Sequence, residues 1–219
     1  MVRVLWVHGL ESGPGGYKVT EMQKQGLEVT APAMAMSLFN PFKANSVVRS
    51  LLSPWALFSR WPTQWLPGAI DDSFEACVSI ISAAAEVTWG KWPGACDVLV
   101  GSSWGGAVAA AVVSQNAWDG PAILMCPALK LREHCGSLHP SLSYSSIVAR
   151  LKNLPEARKE TIILVHGTND QTVPIQDSVD LSEETGIKLE VVEGGTHGFA
   201  KYARDGSLVK RIRQSVQQS

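Results

Sequence analysis

Three residues far apart in the chain have the types and the order that acyl chemistry needs: Ser103, Asp170 and His197. Ser103 stands at the centre of Gly101-Ser102-Ser103-Trp104-Gly105, directly after the apolar run Val98-Leu99-Val100. This is the G-x-S-x-G form of a nucleophile elbow, a tight strand-to-helix turn that lifts a serine hydroxyl clear of its surroundings. One glycine is expected to take the strained backbone conformation and the other to let the following helix approach closely. A serine hydroxyl is a poor nucleophile near neutral pH and needs a base, most often a histidine held by a carboxylate.

Asp170 and His197 have the positions such a base and its carboxylate require. Asp170 lies in His166-Gly167-Thr168-Asn169-Asp170-Gln171-Thr172-Val173-Pro174, after a strand ending at Val165. His197 lies in the Gly-rich loop Glu193-Gly194-Gly195-Thr196-His197-Gly198-Phe199, after the last strand. The order Ser, Asp, His is the one used on an elbow-bearing parallel sheet. Each residue also has an ordinary role open to it: Asp170 as a turn former or N-cap, His197 as a loop histidine, Ser103 as a turn serine. Agreement in residue type, chain order and strand-end position favours the triad over three separate coincidences.

Acyl transfer also generates an alkoxide, which preorganised N–H donors stabilise by roughly 3 kcal/mol each. The Trp104 N–H, directly after the serine, is one expected donor. The Leu10 N–H, in His8-Gly9-Leu10-Glu11-Ser12-Gly13 after the first strand, is the other. His8 and His166 each precede a glycine at a strand end, where a histidine shapes the turn by hydrogen bonding, and both are assigned that structural role.

The elements that must bring these residues together alternate along the chain. Apolar, β-branched runs at 2–8, 27–31, 97–102, 121–126, 161–166 and 187–192 read as strands, several of them apolar throughout and so covered on both faces. Asp72-Ser73-Phe74-Glu75 reads as an acidic capping box opening a helix with Phe74, Cys77, Val78, Ile81 and Ala85 on one stripe. The Ala107–Val113 run predicts a buried helix after the elbow, and further helices are expected at 174–185 and 206–217. The expected fold is a mostly parallel six-stranded sheet with helices on both faces, in one α/β domain spanning 1–219.

Two stretches interrupt the alternation. Residues 33–70 carry Phe39, Phe42, Trp55, Phe58, Trp61 and Trp65 among prolines, and residues 127–157 form a second excursion. Both would leave the C-terminal rim of the sheet, where ligands bind, so the first is expected to be a lid or pocket wall. Trp55, Trp61 and Trp65 are the candidate pocket residues, although aromatics of this kind also serve as plain packing.

Composition excludes several function classes. Hydrophobic residues make up 45% of the chain and charged ones 18%, with a formal net charge of -1 and no clustered sign, so no nucleic-acid footprint is present. The apolar N-terminus runs into a Gly-rich turn and is too short for a signal peptide or a membrane span, so a soluble cytoplasmic protein is expected. Cys77, Cys96, Cys126 and Cys135 lack C-x-x-C spacing and read as free thiols. Cys126, His134, Cys135 and His139 match no zinc signature, and no metal or cofactor is expected. Gly13-Pro14-Gly15-Gly16-Tyr17-Lys18 resembles a phosphate loop, but position 18 is Lys where G-x-G-x-x-G needs Gly, and no Gly-Lys-Ser/Thr follows.

Taken together, His8-Gly9, the elbow, His166-Gly-x-x-Asp170 with Val173-Pro174, and Gly195-x-His197-Gly198 resemble the motifs of a small serine hydrolase of the α/β-hydrolase superfamily, esterase type. The resemblance spans essentially the whole chain. It implies attack by the serine on an ester or related acyl carbonyl of a small molecule, and hydrolysis of the acyl-enzyme by water. The chain departs from the pattern in opening at the strand before the oxyanion loop, without the usual first antiparallel strands, and in its Trp-rich 33–70 stretch. A thioesterase, lactonase or amidase with the same triad, and a catalytically silent binding protein of the same fold, are the alternatives.

Overall fold

Alternate residues of each central strand face opposite ways, and both faces are apolar. In β1 (Arg3–Val7), Leu5 and Val7 join one buried cluster while Val4 and Trp6 join another. β5 (Val98–Ser102) divides in the same way, Leu99 to the first cluster and Val98 and Val100 to the second. Such strands can be stable only between two layers of helices. The computed structural model describes residues 1–52, 65–88, 95–130 and 139–218, and it has this arrangement.

Together with β2 (Glu28–Thr30), β6 (Ala122–Met125), β7 (Ile162–Gly167) and β8 (Lys188–Val192), these strands form a fully parallel six-stranded sheet of order β2-β1-β5-β6-β7-β8. The register is continuous, with Val4 opposite Val98, Leu99 opposite Ala122, Ala122 opposite Ile162 and Ile163 opposite Lys188. After β1 the chain builds outward to β2, then returns to place β5 on the other side of β1. The loops leaving β1 and β5 therefore diverge, and such a reversal opens a crevice at the C-terminal rim.

One face is covered by α1 (Tyr17–Lys24), α8 (Ala200–Arg204) and α9 (Ser207–Gln217), through Val19, Met22, Ala203, Leu208, Val209 and Ile212. The other carries α3 (Trp65–Thr88), α4 (Trp104–Ser114), α5 (Tyr144–Lys152) and α7 (Ile175–Thr185). Every residue of α4 is buried, as the all-round apolar Ala/Val sequence requires. Between these lie the short α2 (Val47–Leu51), α6 (Glu156–Lys159) and a two-stranded parallel pair, β3 (Met36–Ser37) with β4 (Asn45–Ser46). Among the described residues no helix is long and apolar enough to cross a membrane.

One expectation is corrected, and two regions hold more regular structure than the sequence signalled. Asp72-Ser73-Phe74-Glu75 does not start a helix, because α3 begins seven residues earlier at Trp65 with Pro67 in its first turn, where proline is tolerated. The polar residues instead clamp the incoming chain from mid-helix: Ser73 Oγ donates to the Asn45 carbonyl at 2.6 Å, and Asp72 accepts from Ser50 Oγ at 3.2 Å. The 127–157 excursion holds regular structure, a 3₁₀ turn at Pro140–Leu142 followed by α5 and α6. In α5, Tyr144, Ile147, Val148 and Leu151 form a helical stripe, and Ser143 caps it by accepting from the Ser146 N–H. Helix α1 also lacks a clear sequence signal, since only Val19 and Met22 of its eight residues are buried.

Candidate active site

The strand-to-helix turn after β5 carries its strain on the serine itself. Ser103 has φ 61° and ψ -121°, a conformation costly for a side-chain-bearing residue. Neither elbow glycine has positive φ, which corrects the expectation that one of them takes the strained turn. Both serve close approach. A Cβ at Gly101 would lie 2.3 Å from the Gly105 carbonyl oxygen, and one at Gly105 would lie 2.1 Å from that of Val7. The start of α4 thus rests on the backbone of β1, and the Ser103 N–H is fixed to the Met125 carbonyl at 2.9 Å.

The loops after β7 and β8 are held against each other by the same device. A Cβ at Gly167 would fall 2.2 Å from the Gly195 carbonyl oxygen, and the Asn169 N–H donates to that oxygen at 2.9 Å. Their contact brings Asp170 and His197 together. His197 Nδ1 lies 2.8 Å from Asp170 Oδ2, and His197 Nε2 lies 3.0 Å from Ser103 Oγ. Asp170 Oδ1 accepts from the N–H groups of Thr172 and Val173 at 2.8 and 2.9 Å. Burial pushes the Asp170 carboxyl up, but the bonds from Val173, His197 and Thr172 outweigh it, and its pKa falls below the ordinary value. With an anionic partner at Nδ1, the His197 tautomer that leaves Nε2 free to accept a proton is favoured.

Both remaining strand-end histidines have the bonding their assigned role requires. His8 Nδ1 meets the Gly9 carbonyl at 3.0 Å, while His8 Nε2 accepts from the Met34 N–H at 3.3 Å. His166 is fully buried, between Ser178 Oγ at 2.7 Å and the Val173 carbonyl at 3.0 Å, with Nε2 3.4 Å from Asp170 Oδ2. It therefore packs beneath the carboxylate that holds His197. Burial lowers the pKa of both His8 and His166, so both are neutral.

Of the expected oxyanion donors, Trp104 is the first helical residue, whose N–H is one of those a helix leaves without an internal acceptor. Leu10 lines the same cavity as Ser103. The loop carrying it passes close to the serine, since a Cβ at Gly9 would lie 3.3 Å from Ser103 Cβ. That cavity measures about 520 Å³, and Trp6, Leu10, Val19, Lys18, Ser102, Ser103 and His197 are among its lining residues. Another, of about 400 Å³, lies along Glu190–Thr196 and α8 and holds neither Ser103 nor His197. Of the candidate pocket aromatics, Trp55 and Trp61 lie outside the described residues, and so does the side chain of Trp65, the first residue of α3.

Two residues of this region were not among the expected site residues. Lys18 reaches the cavity and donates to Ser102 Oγ at 3.2 Å. Its signal was a lysine closing the Gly-rich turn after the oxyanion loop. Cys126, just beyond β6, has φ 37°, and its sulfur shares a space with Asp170 and His197, potential ligand atoms all lying within 4.8 Å of one another. A cation there would compete with every bond of the Asp170 carboxylate. It would also have to displace the proton of a thiol whose pKa burial, then the charge of Asp170, push up to about 12. His134 and Cys135 lie outside the described residues, while His139 faces Asp72 and Glu75 at 3.5 and 3.3 Å.

No protein-family model matches the chain, and no curated protein matches it in sequence. Solved structures do match in fold. An alpha/beta superfamily protein from Xanthomonas campestris pv. campestris superposes over the full length of both chains with a TM-score of 0.59 at 20% identity. Est1E from Butyrivibrio proteoclasticus matches 99% of this chain and 88% of its own, with a TM-score of 0.57 at 13% identity. SOBER1 from Arabidopsis thaliana matches 97% of this chain and 99% of its own, with a TM-score of 0.52 at 22% identity. The chain has the α/β-hydrolase fold, and among the described residues its six-stranded sheet is parallel throughout.

Proposed function

We propose that the chain is a serine hydrolase that cleaves a carboxylic ester of a small molecule with an apolar acyl group. The observation that carries this reading is the unbroken relay from Asp170 through His197 to Ser103, with bonds of 2.8 and 3.0 Å, at the wall of a largely apolar cavity. Ser103 Oγ attacks the acyl carbonyl while His197 Nε2 takes its proton. Asp170 keeps Nδ1 protonated and stabilises the imidazolium. The N–H groups of Leu10 and Trp104 receive the developing alkoxide. His197 then protonates the leaving alcohol, and water activated by the same ring releases the acid.

The neighbour Est1E has been solved with ferulic acid bound, and a carboxylic acid in a protein of this fold supports an acyl substrate here. The same machinery would serve a thioester, lactone or amide, and matched substrates differing only in that bond separate these. A fluorophosphonate probe is expected to label the protein covalently, and Ser103→Ala to abolish the labelling. Unchanged labelling of the variant would move the nucleophile elsewhere. No labelling of the wild type would favour a silent binding protein of the same fold.

A further inference from the structure

Lys18 is unlike the other described lysines that have nearby acidic partners. Lys24 pairs with Glu21, Lys130 with Asp180 and Lys159 with Glu156. Lys18 instead turns inward from α1 to the cavity wall, where its ammonium donates to Ser102 Oγ, on the residue before Ser103. An ammonium has three N–H donors, and among the described residues this hydroxyl is its one hydrogen-bond partner, with no carboxylate at ion-pair distance. No Asp or Glu side chain is among the described lining of the cavity, which is otherwise apolar residues, hydroxyls, glycines and His197. Asp170 is near enough for its charge to be felt, but its oxygens are taken up by Thr172, Val173 and His197.

A cation withdrawn from water without a counter-charge is costly unless something supplies one. Burial lowers the Lys18 pKa below the ordinary lysine value, against the opposing influence of Cys126 and then Asp170, which is the response of an ammonium short of counter-charge. The missing partner is most simply part of what enters the cavity. A single ammonium with two donors to spare suits a carboxylate, whereas a phosphate dianion calls for a larger set of donors.

We infer that Lys18 forms an anion subsite beside Ser103, so that the preferred substrates carry a carboxylate in addition to the acyl bond that is cleaved. This inference rests on the hydrolase reading and narrows its substrate class. The Gly13–Gly16 turn, which resembles a phosphate loop in sequence, thereby acquires a function as the support that aims Lys18 at the cavity.

Two ester pairs test it. For the acyl side, the 4-nitrophenyl monoester of glutarate is compared with 4-nitrophenyl valerate. For the leaving-group side, the valerate ester of 4-hydroxybenzoate is compared with phenyl valerate. Each rate is corrected for reactivity with hydroxide. In at least one pair, kcat/KM should favour the anionic ester on the order of tenfold or more. Lys18→Met should bring that ratio to about one, and Lys18→Arg should retain part of it. Equal rates within both pairs in the wild type, or a ratio that survives in Lys18→Met, would overturn the subsite. So would a Lys18→Met defect that slows anionic and neutral esters equally, because that identifies a residue that only supports the elbow through Ser102. Calorimetric titration with monomethyl glutarate gives a readout without turnover: binding by the wild type that Lys18→Met abolishes supports the subsite, and equal or absent binding overturns it. Failure of the fluorophosphonate to label Ser103 would overturn the hydrolase reading and leave the titration to decide the anion site.

Discussion

The loops that carry Ser103, Asp170 and His197 and the excursion after β2 leave the same rim of the sheet, yet they are built in opposite ways. In the first set, backbone lies on backbone: missing side chains at Gly101, Gly105 and Gly167 leave gaps that neighbouring carbonyls fill. The excursion is tied down by side chains, at its near end and again where Asn45 and Ser50 meet Ser73 and Asp72. The Met34 N–H bonds to His8 Nε2, while Ser37 Oγ and the Leu38 N–H bond to the Glu11 carboxylate, whose pKa these contacts lower. A few residues further on, Phe39 and Phe42 are 77% and 91% exposed. The geometry of the chemistry is thus set by contacts that tolerate no added atom. The described part of the excursion is held by contacts that a change of side chain can remake.

Gly105→Ala presses hardest on that contrast. Its new methyl carbon would lie 2.1 and 2.6 Å from the carbonyl oxygens of Val7 and His8, so α4 must lift off β1. The expected loss is about 3 kcal/mol or more, or no folded protein at all. Gly15→Ala is the control, since a Cβ there meets nothing within 4 Å, and it should change stability by less than about 0.5 kcal/mol. Denaturant unfolding of the two variants decides the matter. Equal stabilities would mean that the close approach costs nothing to relieve.

Acid should loosen the buried histidines next. His8 and His166 have folded pKa values below the ordinary 6.5, chiefly through burial. Between the folded and unfolded values the unfolded chain binds more protons, so their contribution is complete above about pH 6.5 and is lost as the pH falls through the folded values. A second proton on His8 would also set an N–H donor against the Met34 N–H and release the near end of the excursion. The unfolding temperature should fall between pH 7 and pH 5, and His8→Gln should flatten that fall. A flat profile in the wild type contradicts the assignment of both rings as neutral.

The smallest effect is expected at the exposed aromatics. Phe42→Ser should alter the unfolding free energy by no more than about 0.5 kcal/mol, as for other exposed positions. A loss above about 1 kcal/mol would show Phe42 to be packed.

The sequence predicted the sheet well because strands covered on both faces need uninterrupted apolar runs, and runs such as Ala122–Met125 have few other uses. Ser103, Asp170 and His197 were legible because each sits next to a glycine-bearing turn at a strand end. Local polarity misled at Asp72–Glu75: a capping pattern and a mid-helix clamp use the same residues, and only the partners at Asn45 and Ser50 tell them apart. Helix α5 was masked by its polar, proline-bearing approach although its stripe is regular. Lys18 was hidden for another reason. A lysine near a loop reads as solvent-facing until the fold shows that α1 turns it toward Ser102.

The rest of α4 on β1 ties residue 105 to residue 7, nearly a hundred positions earlier in the chain. The strained serine therefore acquires its posture only after the opening strand has docked beside a strand made much later. A half-assembled chain would be chemically mute, and the rate at which a refolding sample becomes reactive toward an active-site probe would serve as a clock for that long-range docking.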